Sequence, residues 1–469
     1  MITGKDLIEW GIKGPAIKTA LRVFVPNPKG WGSTQIGELC REMVKNPGNY
    51  VKHPLVGPIA IVILAGEAEA AKHATIQMNK NHCPLTIFGD SMIEAGAVNQ
   101  IHEAAKLPVA VKAALAPDAH QGYGLPIGGI LATRGAVIPW AVGVDIGCRM
   151  HMTVFDMPGK DLSGMADKCV TILNNNMVFG AGQDIEIKVS HPVLDDARYD
   201  LPRIRSLRLR DQAVRQIGTS GGGNHFGEFG IVEMEGSDEP MVAFLTHSGS
   251  RGIGYKIATV YSDLAKDSCK LPGEAVRLAW LDMASDEGQE YWYAMELSGD
   301  FAKACHEIIH DRIRRALGVK AVKVFQNHHN FAWKEVVDGE EVIVHRKGAT
   351  PAGLGVVGVI PGSMTTPTYI VRGKGNPLSI CSSSHGAGRM MSRAAAKDRF
   401  TMHQMRENLA AAGVTLVGGS LDESSMAYKD IDAVMDAQKE LVDVIGKFVP
   451  RVVRMAGEEI KHWQKTEGE

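Results

Sequence analysis

Glycine sets the first limit on how this chain can fold, because its 52 glycines gather in short islands between apolar runs, among them GTSGGGNH (218–225), HSGSRGIG (247–254), RKGAT (346–350) and HGAGR (385–389). Such islands suit tight turns and close approach of backbone to a ligand, and they weaken the interiors of helices and strands. The chain is therefore a scaffold of regular elements whose loops carry the glycine. Apolar residues make up 45% of the 469, enough to bury a core and too many for a disordered Gly-rich polymer. At roughly 150 residues per domain the length admits about three domains, yet no linker composition marks a cut.

Periodicity orders the elements. From Ile59 the segments IAIVIL, EAEAAKHATIQMNKN, LTIF, SMIEAGAVNQIHEAAK and VAVKAALA read as strand, helix, strand, helix and strand, with parallel pairing. Gly-punctuated strands and loops follow from Pro117 to Met157, and again from Gly218 to Gly254 after an Arg-rich helical segment. Gly273 to Leu317 reads as two or three helices and VVGVIPG as a short strand; Arg389 opens a helical run through MMSRAAAKDRF, and helices near 401–412 and 430–447 close the chain. The fold class is α+β, mixed sheets with surrounding helices. A single domain over 1–469 is expected, with an α/β portion (1–116), a motif-bearing core (117–430) and a C-terminal helix and tail (431–469).

The net charge of −2 leaves no global basic field, so any nucleic-acid surface must be local. The strongest candidate runs through Arg198, Arg203, Arg205, Arg208, Arg210 and Arg215, with Arg312, Arg314 and Arg315 as a second cluster; the plain alternative is a solvated face with ion pairs. Seven scattered cysteines without CxxC spacing fit a reducing cytosol. With no signal-like N-terminus and no apolar stretch of about 18 residues, a soluble cytoplasmic protein with no membrane partner is expected.

The chemistry-bearing residues lie in the islands. His225, His247 and His329, with Asp145 and Cys148 of VGVDIGCRM, are all divalent-metal ligand types, and each sits where a bent backbone can aim it inward. No pair has HxxxH or CxxC spacing, so a metal site and a set of hydrogen-bonded structural residues stay equally open. The islands also combine glycines with hydroxyls or a cation, a composition suited to backbone cradles for phosphate, although none is a Walker loop or a dinucleotide fingerprint. His385, at the expected start of a helix where free N–H groups favour an anion, is either a nucleophile or a general base. The residues point to a metal-assisted enzyme acting on phosphates.

Taken in order, PDAHQGYGLPIGG, VGVDIGCRM, GTSGGGNHFGEF, HSGSRGIG, HHNFAW, HRKGATPAG, IPGSM, SSSHGAGRMMSR and AYKDID resemble the RtcB family of RNA ligases from Pro117 to Asp430. The resemblance implies a single RtcB-like catalytic domain with Gly-rich active-site loops. It implies a ligase dependent on GTP and two Mn²⁺ ions that joins an RNA 3′-phosphate or 2′,3′-cyclic phosphate to a 5′-hydroxyl. His385 would carry GMP and pass it to the RNA 3′-phosphate; neutral imidazole is a competent nucleophile near pH 7. Asp145, Cys148, His225, His247 and His329 match the family's metal ligands, Cys148 bridging one ion held with Asp145 and His225 and another held with His247 and His329. Asn224, His225, Phe226, Gly227 and Glu228, His329 and Asn330, Pro361, Gly362, Ser363 and Met364, Thr368, and His385, Gly386, Ala387 and Gly388 match its GMP contacts. Tyr428 falls where the family places an aromatic near the guanine; Lys347, Arg389 and Arg393 are candidates for phosphate or RNA-backbone contacts.

The chain departs from the family pattern at Val144 and Gly147, where Tyr and Asn are common, and in TTPT, where Thr368 replaces a serine. Arg454 or Lys461 stands in for a guanine-contacting lysine. The biological RNA and the need for an activating protein partner stay open. The rival reading is a paralogue that caps ends as a nucleotidyltransferase, or acts as a phosphohydrolase, without sealing.

Overall fold

The computed structural model describes residues 2–26, 30–73, 75–179 and 189–457. They form two compact units, Met1–Ile76 with Ser268–Lys270, and Gln77–Asp267 with Leu271–Glu469.

The first unit is helical, with helices Gly4–Glu9, Pro15–Phe24, Ser33–Lys45 and Gly57–His73. Thr3 and Asp6 close a capping box on the first, and Pro15 opens the second, where its missing N–H is no loss. Leu7, Trp10, Ile12, Phe24, Ile36 and Met43 meet in its core. IAIVIL, expected as a strand, lies inside Gly57–His73. Val56, Ile59, Ala60 and Ile63 fall at i, i+3, i+4 and i+7 and pack on that core, while Ile61 is left exposed. A short apolar run has no period of its own, and the Ala- and Glu-rich continuation carries it as a helix. The α/β pattern expected over 1–116 begins only at residue 85, where Leu85–Ile87 and Ala110–His120 pair in parallel across helix Ala95–Ala105.

The second unit is α+β, with mixed sheets and surrounding helices. Its largest sheet has eight strands, in the order Val357–Ile360, Thr368–Gly373, Val442–Met455, Phe226–Met234, Met241–Ser248, Arg149–Pro158 and Ala321–His328, with Thr415–Val417 beside Val442–Met455. One face packs through Phe155, Phe229 and Phe244 against Ile309 and Ile313 of helix Asp286–Leu317 and Ile172 of helix Ala166–Asn176. A five-stranded sheet runs Leu85–Ile87, Ala110–His120, Ile127–Thr133, Glu340–Lys347, Asn330–Val337. A short ribbon pairs Ala349–Pro351 with Ser382–Ser384.

Three expectations change here. The segment read as two or three helices from Gly273 is a 3-10 turn, Gly273–Leu278, and one 32-residue helix, Asp286–Leu317, which Ser285 caps and Gly318 ends at φ 79°. The expected helix over 430–447 is helical only at Ile431–Asp436; Val442–Met455 is a strand inside the large sheet. Its β-branched residues favour that, and Pro450 sits at a register shift, where the ladder does without its N–H. Helix Arg393–Arg399 starts at Arg393, capped by Ser392, so His385 follows the strand Ser382–Ser384 and is not at a helix N-terminus. No helix among the described residues is long and apolar enough to cross a membrane.

Candidate active site

The site grows from one edge of the large sheet. Phe226–Met234, Met241–Ser248, Arg149–Pro158 and Ala321–His328 are neighbours and run antiparallel, so successive strands start and stop at the same edge. His225 and Cys148 stand just before two of these strands, His247 lies near the end of a third, and His329 follows the fourth. Strands about 4.8 Å apart thus bring together residues scattered over the sequence.

Cys148 Sγ lies 3.5 Å from His225 Nε2 and 3.2 Å from His247 Nε2, and His247 Nε2 lies 3.2 Å from His329 Nε2. Asp145 Oδ2 is 2.9 Å from His225 Nε2. Two triads result, Asp145–Cys148–His225 and Cys148–His247–His329, each with donor atoms within 4.8 Å of one another and sharing the thiol. The glycines explain how so many side chains fit: a Cβ at Gly249 would stand 2.0 Å from Asp145 Oδ1, and one at Gly221 would stand 2.0 Å from His225 Nδ1.

This donor set fits a divalent cation. Burial, then His225, holds His247 down to about 3, and burial, then His385, holds His329 well below the usual histidine range, so both rings are neutral with lone pairs available. Burial raises the Asp145 carboxyl, but His225 and the hydrogen bonds it receives outweigh that and hold it below its ordinary value. Burial, then Asp145, pushes the Cys148 thiol well up; a cation binding there must displace that proton. His225 and His329 Nδ1 are buried without a hydrogen-bond partner among the described residues, while His247 Nδ1 is 3.1 Å from the Asn224 carbonyl, which fixes its ring.

His385 stands beside this cluster, its ring 4.9 Å from that of His329. Its Nδ1 lies 2.7 Å from Oδ2 of Asp118, a fully buried residue of Ala110–His120, and the His385 and Gly386 N–H groups donate to the same oxygen. Burial raises Asp118, yet His385, by charge and hydrogen bond, and Lys429 hold it below the usual carboxylate value. An ionised carboxylate only accepts, so Nδ1 is the donor in this bond. The Ala387 N–H donates to the Pro361 carbonyl. The backbone cradle expected over this island is therefore engaged inside the protein at His385, Gly386 and Ala387. Gly388, at φ +73°, passes so close to Asp118 that a Cβ would lie 2.0 Å from its carbonyl oxygen.

A cavity of about 910 Å³ opens over these groups. Its lining includes Asn224, Phe226, Glu228, Asn330, Pro361 to Met364, Thr368 and His385 to Gly388; His225 and Gly227 lie outside it. Lys347, Arg389, Arg393 and Tyr428 also line it. Lys347 is buried and pulled down to about 7 by burial, then Arg277, and its Nζ donates to the Leu125 and Tyr123 carbonyls. Arg389 and Arg393 share Glu423 at 3.2 and 3.0 Å.

A family model described as tRNA-splicing ligase RtcB matches residues 100–201 and 195–456. An Escherichia coli protein named RNA-splicing ligase RtcB1 is 37% identical over 386 residues, covering 75% of this chain and 92% of its own. The RNA-splicing ligase RtcB of Escherichia coli K12 is 36% identical over the same length and coverage. The tRNA-splicing ligase RtcB of Archaeoglobus fulgidus is 32% identical over 425 residues, 74% of this chain and 87% of that one. The chain belongs to the RtcB family. The family match starts at residue 100, beyond the helical unit.

Sequence reasoning singled out every member of the two triads and His385, but missed Asp118 as a partner, although it lies in the PDAHQGYG motif; a buried carboxylate aimed at a histidine 267 positions away leaves no local signal. In this RtcB chain Arg454 is not in the cavity lining: its neighbours Val453 and Met455 are, and its guanidinium lies over the Phe179 ring at 5.7 Å. Lys461 lies outside the described residues. Within the Arg-rich segments Arg198 pairs with Asp196 and Asp300, Arg203 with Glu287 and Glu290, Arg210 with Asp200, and Arg314 and Arg315 with Asp311, while Arg312 donates to the Gly218 carbonyl.

Proposed function

We propose that the protein is a GTP-dependent RNA ligase that uses two divalent ions, manganese in the cell, to join a 3′-phosphate or 2′,3′-cyclic phosphate end to a 5′-hydroxyl. The observation that carries the reading is the position of His385, anchored through Nδ1 to buried Asp118 and lining one cavity with Asp145, Cys148, His247 and His329 of the two donor triads.

Asp145, Cys148 and His225 would hold one ion and Cys148, His247 and His329 the other; bound there, the ions supply charge neutralisation and polarisation of a phosphate. Thiolate and imidazole also suit zinc, so selection of manganese depends on availability rather than on raw affinity. The protein's own part starts with His385. Asp118 keeps Nδ1 protonated and Nε2 free, so Nε2 attacks the α-phosphate of GTP, forming an N–P bond as the bond to pyrophosphate breaks. The Nδ1 proton stays on the ring, where Asp118 stabilises the positive charge. Water first opens a cyclic end to the 3′-phosphate; an oxygen of that phosphate then attacks the phosphorus on His385, breaking the N–P bond, and the 5′-hydroxyl oxygen attacks the activated 3′-phosphate, giving its proton to solvent as GMP leaves. Asn224, Asn330 and Ser363 offer the nucleotide polar contacts, and Phe226 and Met364 an apolar wall. Arg389 and Arg393, tethered by Glu423, present charge to phosphates.

Incubation with Mn²⁺ and α-labelled GTP is expected to leave an acid-labile label on the protein that is absent from His385→Ala. Label that persists in that variant, or never forms, refutes the nucleophile. RNAs with 3′-phosphate and 5′-hydroxyl ends test sealing; accumulation of the guanylylated end alone would mark an end-capping enzyme.

A further inference from the structure

One corner of the cavity takes no part in the steps above. The loop after Ala110–His120 places Tyr123 in the cavity wall with 60% of its surface exposed. The Arg277 guanidinium, from Gly273–Leu278, lies over the ring at 4.8 Å, and Trp140, of the short helix Pro139–Val142, meets it edge-on with centroids 5.9 Å apart at 63°. All three line the same cavity as His385. With Arg277 over the ring and Trp140 packed against it, Tyr123 still keeps 60% of its surface exposed.

The loop that carries it is held on several sides. Gln100 brackets Gly122, accepting from its N–H at 3.0 Å and donating to its carbonyl at 2.5 Å. The Gln121 N–H donates to Glu94 at 2.6 Å, and Lys347 donates to the Tyr123 and Leu125 carbonyls. A Cβ at Gly124, at φ +72°, would touch the Arg277 carbonyl at 3.0 Å. A lone exposed tyrosine on a convex surface needs no explanation. A tyrosine on a pinned loop, backed by a guanidinium, set in a concave wall and more than half exposed, is a preorganised aromatic surface open to a ligand.

We propose that Tyr123, backed by Arg277 and Trp140, is the stacking platform for the RNA base at the break, next to the end being joined. Unstacked terminal bases are held by aromatic faces without regard to identity, as an enzyme that reads chemical ends requires. Arg277 adds a cation beside the phosphates that flank such a base. The inference rests on the reading of this cavity as one that takes RNA ends.

The test uses the full-length protein with Mn²⁺ and RNA oligonucleotides carrying 2-aminopurine as the last base of a 3′-phosphate strand or the first base of a 5′-hydroxyl strand. Quenching on binding in one arm is expected for the native protein and for Tyr123→Phe, and the quenched arm identifies the strand. Tyr123→Ala and the bulk-preserving Tyr123→Leu are expected to abolish the quench and weaken binding by about 5- to 150-fold, the equivalent of ~1–3 kcal/mol for one base stack. An RNA abasic at that position is expected to bind both variants and the native protein alike. Quenching in neither arm, quenching that survives in both variants, or equal loss of affinity for abasic RNA would overturn the platform. Transfer of label from GTP is measured separately: label without quenching removes the platform and leaves the ligase, and quenching without label does the reverse.

Discussion

Asp118 illustrates how a buried residue that does not line the cavity sets the hydrogen bonding of one that does, His385, the proposed nucleophile. Its carboxylate is fully buried and receives three hydrogen bonds from His385 and Gly386. Removing its charge while keeping its shape lets the imidazole adopt the other tautomer, with Nε2 protonated and unable to attack. Asp118→Asn is therefore expected to slow self-guanylylation by roughly 100-fold or more while metal affinity at the triads stays near native. A variant that loses label and metal together would assign Asp118 to holding the fold of the site. Single-turnover labelling alongside a metal titration separates the two outcomes.

At the scale of elements, the long helix Asp286–Leu317 anchors the strand that carries His247. Thr246, next to it, has Oγ1 at 2.6 Å from His306 Nδ1 and 2.8 Å from His310 Nε2; His310 Nδ1 is 2.7 Å from Thr153, and His306 Nε2 is 3.2 Å from the Ser248 carbonyl. Burial, then His151, holds both rings well below the usual histidine range, so they are neutral and exchange hydrogen bonds without charge. Thr246→Val keeps the volume and strips these bonds, leaving buried ring nitrogens short of partners. A loss of about 2–4 kcal/mol in denaturant unfolding is expected, and a change within about 0.5 kcal/mol, as for an indifferent surface site, would show the network to be slack. The same element scale explains the C-terminal strand: Gly230 faces it so closely that a Cβ would stand 2.3 Å from the Val449 carbonyl.

For the whole molecule, two observations set the frame: the RtcB match spans residues 100 to 456 of the second unit, and the site draws on the eight-stranded sheet, the five-stranded sheet and the short ribbon of that unit, with His329 at the junction between Ala321–His328 and Asn330–Val337. On the proposed reading, ions held at the triads would join the ends of four strands and favour the folded state. At Mn²⁺ near 100 times its dissociation constant, a stabilisation of about 2.7 kcal/mol is expected in thermal unfolding. Cys148→Ser, which removes the shared ligand, is expected to abolish most of that shift; an unchanged response would dissociate the thiol from the metal. The sequence by itself determined the donor types and singled out His385, because glycine islands and motif order are local, and it determined the strands and helices whose period is long, such as Ala95–Ala105 and Ala110–His120. It could not determine IAIVIL or Val442–Met455, since short apolar or β-branched segments take the conformation their neighbours impose. Only the tertiary structure decided that Asp118 would meet His385 and that Tyr123 would stand uncovered beside Arg277. Those contacts join residues 267 and 154 positions apart, and nothing in either local sequence encodes a distance that only the packing of two sheets sets.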